Sequence, residues 1–421
     1  MSETENRRKK NHGQRSRLFT SESVAEGHPD KIADQISDAV LDEALSQDRS
    51  SRVACETLVS HNFVVVAGEI TAEARLDIKE IVRRVFHEVG FADEKSGFEL
   101  SRSSIIMDIK EQSREISEAV GEKSSWRRIS RVRTENDKSR VDKDDEIRAG
   151  DQGVVFGYAT DETPELMPLP IVLAHKLVRK AAELRKTGQI PWLLPDGKSQ
   201  VTVRYEDEKP VVVERVLLSL QHKSGVSQKV LIETIKREII EKVIAPELLS
   251  DGTEFIINPS GQFTCGGPAA DTGLTGRKII VDTYGGSCAH GGGCFSGKDP
   301  TKIDRSGAYA ARYIAKNIVA AGLARRCTVQ LSYAIGRAQP TSVMIDTHGT
   351  GTVEDTLLEA AIKEIFPLKP GDIIRELDLR RPIYRRTAVY GHFGRELPEF
   401  TWEHCDKAKE LKSYLKINSE D

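Results

Sequence analysis

The chain has 421 residues, a length that exceeds one ordinary hydrophobic core and predicts two or three domains. Hydrophobic residues make up 38% and charged residues 30%, the balance of a soluble globular enzyme. The formal net charge of −3 excludes a global attraction to nucleic acid or to membranes, and no apolar run reaches the ~18 residues of a spanning helix.

Residues Met1–Arg17 are basic without an apolar stretch, which predicts a disordered tail rather than a secretory signal. From Pro29 to about Ala44 the apolar residues Ile32, Ile36, Val40, Leu41 and Ala44 recur at helical spacing. Pro29 suits the first helical position, so His28 and Asp30 stand at a helix N-terminus, where unpaired N–H groups favour an anion. A capping histidine and an aspartate that complements the helix dipole is the structural alternative. Val53–Val59 and Phe63–Thr71 read as a hairpin across Ser60-His61-Asn62, and Ala74–Val89 as a helix closed by Gly90.

This helix, hairpin, helix order returns twice. Leu166–Lys186 is followed by Gln200–Tyr205 and Val211–Gln221 across Lys209-Pro210, then by a helix over Ser227–Val243. Asp304–Leu323 is followed by Cys327–Ile335 and Thr341–Asp346 across Ala338-Gln339-Pro340, then by a helix over Val353–Phe366. Such a threefold recurrence predicts an α+β fold of three pseudo-threefold-related domains of similar build. The bounds are 17–112, 150–264 and 265–408, flanked by tails at 1–16 and 409–421. Between the first two lies a mobile insert at 113–149, in which 19 of 37 residues are charged, too many to bury a core of its own. The cysteines Cys55, Cys265, Cys288, Cys294, Cys327 and Cys405 lack C-x-x-C spacing, which predicts a reducing cytoplasm without a zinc site or disulfide framework.

The densest chemistry lies in Gly266–Ser306, where ten of the 32 residues from Gly266 to Gly297 are glycine. Arg277, Lys278, Lys298, Lys302 and Arg305 interleave there with Asp271, Asp282, Asp299 and Asp304. Exposed backbone N–H groups beside cations can cradle phosphate, and carboxylates beside them can hold a divalent metal. Gly292–Lys298 matches the start of a P-loop, but Asp299 stands where that motif needs Ser or Thr, and no apolar strand leads into the glycines.

The run GGPAADTGLTGRKIIVDTYGG with HGGGCFSGKDPTKIDRS resembles the signature of the S-adenosylmethionine synthetase family. TSESVAEGHPDKIADQISDAVLD at Thr20–Asp42 and AGDQG at 149–153 resemble two further signatures, and the likeness covers about Leu18 to about Lys407. The resemblance implies synthesis of S-adenosylmethionine from ATP and L-methionine, with hydrolysis of the released tripolyphosphate to pyrophosphate and phosphate. It implies two Mg²⁺ per active site and K⁺. It also implies a homodimer with shared active sites, sheets packed at the dimer interface, and pairing into a homotetramer.

Residue by residue, the resemblance gives His28, Lys198, Arg277, Lys278, Lys298 and Lys302 catalytic positions on the triphosphate. Asp151, Asp196, Gly197, Gln262, Phe263, Asp271 and Cys294 complete the ATP site, with Phe263 suited to stacking on adenine. Glu69, Gln112, Asp271 and Lys302 match methionine-binding positions. Asp30 and Asp304 match magnesium ligands and Glu56 a potassium ligand. Gln262 stands where the family usually has arginine, Gly197 where Ala or Ser is more usual, and Cys294 where Ala is frequent. Two other readings compete: a nucleotide or polyphosphate hydrolase without methionine chemistry, and an inactive partner acting through the charged insert.

Overall fold

The computed structural model describes residues 16–91, 98, 100, 103–111 and 147–417. Gln112, residues 1–15 and most of the charged insert lie outside the described residues, whereas the expected tail at 409–421 is helical as far as Tyr414 and buries Leu411.

The first helix, α1 (Pro29–Gln47), starts as its sequence dictates, with Pro29 in the first turn and the His28 side chain capping the Asp30 N–H. Its predicted apolar residues Ile32, Ile36, Val40, Leu41 and Ala44 are all buried. The helix α2 (Ile78–Val89) ends at Gly90, which takes the left-handed conformation with φ 103°. A second pair follows, α3 (Leu169–Lys186) and α4 (Gln228–Ile235). The predicted helix over Ser227–Val243 is interrupted: α4 passes into a π turn at Lys236–Ile240 before a last turn at Glu241–Val243. The third pair is α5 (Ile303–Ala320) and α6 (Asp355–Ile365).

The three predicted hairpins form, and each becomes part of a larger sheet. In the first, β2 (Arg52–Val59) pairs antiparallel with β3 (Phe63–Thr71). In the second, β6 (Leu193–Glu206) pairs with β7 (Lys209–His222), and the turn falls at Asp207-Glu208, both with positive φ, rather than at Lys209-Pro210. Pro210 is instead accommodated beside a register shift after Arg204, a place where a missing N–H breaks no regular ladder. In the third, β10 (Arg326–Tyr333) pairs with β11 (Ser342–Asp346).

Each hairpin receives an antiparallel strand from a distant part of the chain. Strand β1 (Ser16–Val24) pairs with β6, β5 (Gly153–Thr160) with β10, and β9 (Gly273–Leu274) with β2. Parallel strands extend two of the sheets, β4 (Ser104–Lys110) beside β3 and β8 (Glu254–Ile257) beside β7. The orders are therefore β9-β2-β3-β4, β1-β6-β7-β8 and β5-β10-β11. Three α+β units result, related as the sequence predicts, but each lends a strand to the next: the first segment to the second sheet, the second to the third, the third back to the first.

The central unit has its own core, with α3 residues such as Leu177 and Val178 set against Val201, Val203, Val213 and Val216. Core residues of the first and third units are continuous with one another. Helix α5 approaches β5 so closely that a Cβ at Gly157 would lie 2.0 Å from the Ala311 carbonyl carbon. Gly157→Ala is accordingly expected to lower unfolding free energy by ~1–3 kcal/mol, the usual overpacking range, measured by urea denaturation. Among the described residues, no helix is long and apolar enough to cross a membrane.

Candidate active site

The N-termini of α1 and α5 supply the site's two carboxylates. Before α1, the Ala25 N–H donates to Gly197 O at 2.8 Å and the Gly27 N–H to Pro195 O at 3.2 Å, which lays this turn along the start of β6. His28 therefore sits beside the Asp196–Lys198 segment. Its Nδ1 accepts the Asp30 N–H at 3.2 Å, so the ring proton of the neutral form resides on Nε2. Burial first, then Lys278, pushes its pKa down to about 3, so His28 is neutral at pH 7 and offers a hydrogen-bond donor without a charge.

Asp30 accepts the Leu274 N–H at 3.0 Å and the Lys278 ammonium at 2.5 Å, with the Arg277 guanidinium 3.9 Å away. Burial raises its pKa, but Lys278 and the Leu274 N–H outweigh that and hold the carboxyl below its ordinary value. Lys198 is exposed on β6 and contributes to the positive field at His28.

At the second helix, the turn Ser296–Lys302 is anchored on β2. Cys55 N–H donates to Gly297 O at 2.9 Å, and only glycine fits at 297, where φ is 79° and a Cβ would stand 1.8 Å from Cys55 O. Asp299 is fully buried and accepts the N–H groups of Val53 at 2.8 Å and Thr301 at 2.9 Å, with Lys302 at 3.2 Å. Burial pushes its carboxyl up, but Lys302 and Arg52 bring it down to about 2. This accounts for the aspartate that spoils the P-loop match: its side chain fixes the turn. Lys298 projects from that turn onto Asp304 in the first turn of α5, at 2.5 Å. Burial lowers the Lys298 pKa, but Cys294 and Asp304 outweigh it and keep the ammonium above its ordinary value.

Several positions on the nucleoside side gather around a third anchor. Asp196 is buried and accepts the Gly267 N–H at 2.8 Å and the Gly197 N–H at 2.7 Å, joining β6 to the glycine-rich run. Burial raises its pKa to about 6 despite these bonds. The Phe263 N–H donates to His222 Nε2 at 3.1 Å, holding the half-buried ring's backbone on the end of β7. Asp271 is exposed and accepts its neighbour Thr272's N–H. Cys294 lies against Gly276, between the two cationic loops, and burial raises its thiol pKa.

Thus His28, Asp30, Asp196, Lys198, Arg277 and Lys278 gather at the head of α1, and Lys298 pairs with Asp304 at the head of α5, with Cys294 beside both Gly276 and Lys298, whereas Lys302 bonds the buried Asp299. Glu56 is exposed on β2, close enough to Lys298 to favour its charge. Among the described residues, no hydrogen bond or ion pair joins Glu69 on β3, Asp151 or Gln262 to that group, and all are exposed or half-buried. Gln112 lies outside the described residues. The sequence reading missed Lys31, Asp34 and Asp38, whose side chains hold the two loops from below. The four-residue spacing from Asp30 was the available signal.

Among the described residues, no cluster of three or more His, Cys, Asp or Glu is placed to bind a metal. Asp30 and Asp304 each face a lysine ammonium in place of a second acid. One carboxylate apiece fits an ion that takes most of its shell from phosphate and water, as Mg²⁺ does at nucleotide sites.

Family models for S-adenosylmethionine synthetase match three consecutive stretches: the N-terminal domain at residues 16–114, the central domain at 146–263 and the C-terminal domain at 265–404. The S-adenosylmethionine synthase of a Nitratiruptor species is 53% identical over 400 residues, 95% of this chain and 98% of its own length. That of Thermus thermophilus is 55% identical over 397 residues, 94% of this chain and 98% of its own. That of Helicobacter hepaticus is 52% identical over 403 residues, 96% of this chain and 99% of its own. With its glycine-rich run, its paired helix heads and nearly its whole length matched in this way, the chain belongs to the S-adenosylmethionine synthetase family.

Proposed function

We propose that this enzyme makes S-adenosylmethionine by direct displacement at C5′ of ATP. The methionine sulfur forms the new S–C5′ bond, the C5′–O bond breaks, and its electron pair leaves with the whole triphosphate. The released tripolyphosphate is then hydrolysed to pyrophosphate and phosphate before the product departs. The observation that best supports this reading is that carboxylates at two helix N-termini each carry cations from the glycine-rich run, Arg277 and Lys278 at Asp30 and Lys298 at Asp304. A leaving group of such high charge needs neutralisation in place, and a prearranged set of cations supplies it without reorganisation.

In this reading the neutral His28 donates from Nε2 to the departing oxygen. Asp30 and Asp304 would hold two Mg²⁺ and Glu56 a K⁺; bound Mg²⁺ would offset charge on the phosphate oxygens. Asp196, Gly197, Phe263, Gln262, Cys294 and Asp151 would surround the nucleoside and phosphates. Glu69, Gln112, Asp271 and Lys302 would hold methionine, Asp271 being an acid suited to a forming sulfonium. The exposure of Glu69 and Asp151 supports a homodimer in which a second copy completes each site, with a homotetramer built from two such pairs. Apolar Ile106 and Met107 on β4, beside the strand of Glu69, are half exposed, which supports the same interface. A cytoplasmic location accords with six free cysteines among the described residues.

Incubating the protein with ATP, methionine, Mg²⁺ and K⁺ tests the reading. S-adenosylmethionine, pyrophosphate and phosphate are expected together. Phosphate release independent of methionine would overturn it in favour of a hydrolase. Gln262 gives a finer test, since the family's arginine would add a charge-assisted contact. Gln262→Arg is expected to lower the ATP KM, by an amount equivalent to ~1–3 kcal/mol. An unchanged ATP KM would show that position 262 does not reach the nucleotide.

A further inference from the structure

Between the β1 ladder and α1 lie four residues, Ala25 to His28, that belong to neither element. The last ladder pair is Val24 with Lys198, and the helix starts at Pro29. Backbone bonds from Ala25 and Gly27 lay one side of this turn on β6, and the Gln35 amide donates to Glu26 O at 2.8 Å from within α1. Glycine is needed at 27, where a Cβ would stand 2.4 Å from that of Pro195. The other side of the turn is held through a side chain. Glu26, two residues before His28, is buried, which is costly for a carboxylate unless it is paired and hydrogen-bonded.

Its partners come from the end of α3. The Arg185 Nη2 donates to Glu26 Oε1 at 2.6 Å, and the Lys186 Nζ to Glu26 Oε2 at 2.7 Å. The same Arg185 nitrogen donates to Val89 O at 2.8 Å, one of the last carbonyls of α2, which have no partner within their own helix. Gly90 leaves the room for this: a Cβ there would lie 2.3 Å from Arg185 Nη1 and 3.3 Å from Pro195 Cγ. Phe91, next in the chain, sets its ring against Gly267, the residue whose N–H binds Asp196. The side chains of Arg185 and Glu26 are 13% and 7% exposed, so this is not the solvated kind of ion pair that contributes little.

Arg185 therefore joins three segments behind the site: the turn before α1, the end of α2 and, by way of α3, the central unit that carries Lys198 and Asp196. We propose that Arg185, acting through Glu26, is a positioning residue for His28, holding the histidine's Nε2 donor in register with Lys198. This rests on the displacement at C5′ put forward above. Asp30 is held separately by Leu274 and Lys278, so a slack turn displaces His28 more than it displaces that carboxylate.

S-adenosylmethionine formation and hydrolysis of added inorganic tripolyphosphate, measured side by side on the full-length enzyme, provide the test. His28 is assigned to the oxygen leaving C5′, and free tripolyphosphate no longer contains that bond. Arg185→Gln is expected to cut kcat for S-adenosylmethionine by up to about a hundredfold, the scale of a misplaced catalytic group, and to lower tripolyphosphate hydrolysis at least about tenfold less. Tm should fall as well, since Glu26 loses a buried partner. Equal losses in the two activities would mean a pair that only stabilises the fold, and would overturn the proposal. An unchanged kcat in the folded variant would overturn it too, and either result leaves the functional reading standing. A parent that makes no S-adenosylmethionine sinks that reading, and this proposal with it. Should Arg185→Gln fail to fold, Glu26→Gln decides, being nearly isosteric and keeping an oxygen for Arg185 without the charge. The same uneven loss is expected there on a smaller scale; an even loss, or none, overturns the proposal.

Discussion

Lys298→Ala is expected to lower kcat by about a hundredfold to a thousandfold, the range seen when one preorganised donor to developing charge is removed. Lys298 is the cation nearest Asp304, and its turn is held by backbone bonds from Cys55 and by the buried Asp299, not by its own side chain. The fold should therefore survive, with circular dichroism and Tm close to the parent. Asp304, left without its ammonium, is partly exposed and keeps access to water. A well-folded Lys298→Ala enzyme with near-normal kcat would remove Lys298 from the proposed phosphate cradle.

The second large effect concerns stability. Arg312 and Lys316 on α5 are buried, and both point at Glu403, with bonds of 2.9 and 3.0 Å. Arg312 further donates to the carbonyls of Tyr158, Leu166 and Glu165, so it ties β5 and the turn leading into α3 to the C-terminal segment. Glu403→Ala would leave buried Arg312 with backbone carbonyls alone and Lys316 with Glu396 as its one carboxylate, and a loss of ~3–5 kcal/mol of unfolding free energy is expected in urea titrations. Acid should act through the same residue. Burial raises the Glu403 pKa, but Arg312 and Lys316 outweigh it and leave the carboxyl below its ordinary 4.5. A group depressed on folding binds its proton more readily when unfolded, so its stabilisation is complete above 4.5 and lost as pH falls through the folded value. The parent should thus lose urea resistance as pH falls below 4.5, and Glu403→Ala should lose less of what it has left. Parallel curves for the two proteins would show that Glu403 does not carry this dependence.

The helices were legible because their apolar residues repeat within a few turns, as Ile32, Ile36 and Val40 do. Hairpins were legible for a similar reason: Val59 and Phe63 are neighbours in sequence as well as in the sheet. The strands β1, β5 and β9 were not, nor were their partners, because Ser16 meets Glu206 and Gly273 meets Val59 across hundreds of residues, and nothing local names a distant partner. Strand β4 was missed since both its faces are largely exposed, so Ile105, Ile106 and Met107 show no alternation to read. At the site, His28 and the lysines were found through motif resemblance. Asp34 and Asp38 were passed over because an acidic residue on a helix ordinarily faces water.

The exchange of strands around the three units has a consequence for how the protein can be divided. A cut at either boundary would deprive a sheet on the far side of one of its members, and shaving residues before Pro29 would injure the central unit rather than the first. The trio closes like a ring of linked arms, so a fragment that looks self-sufficient in sequence would carry a bare edge where its neighbour had been.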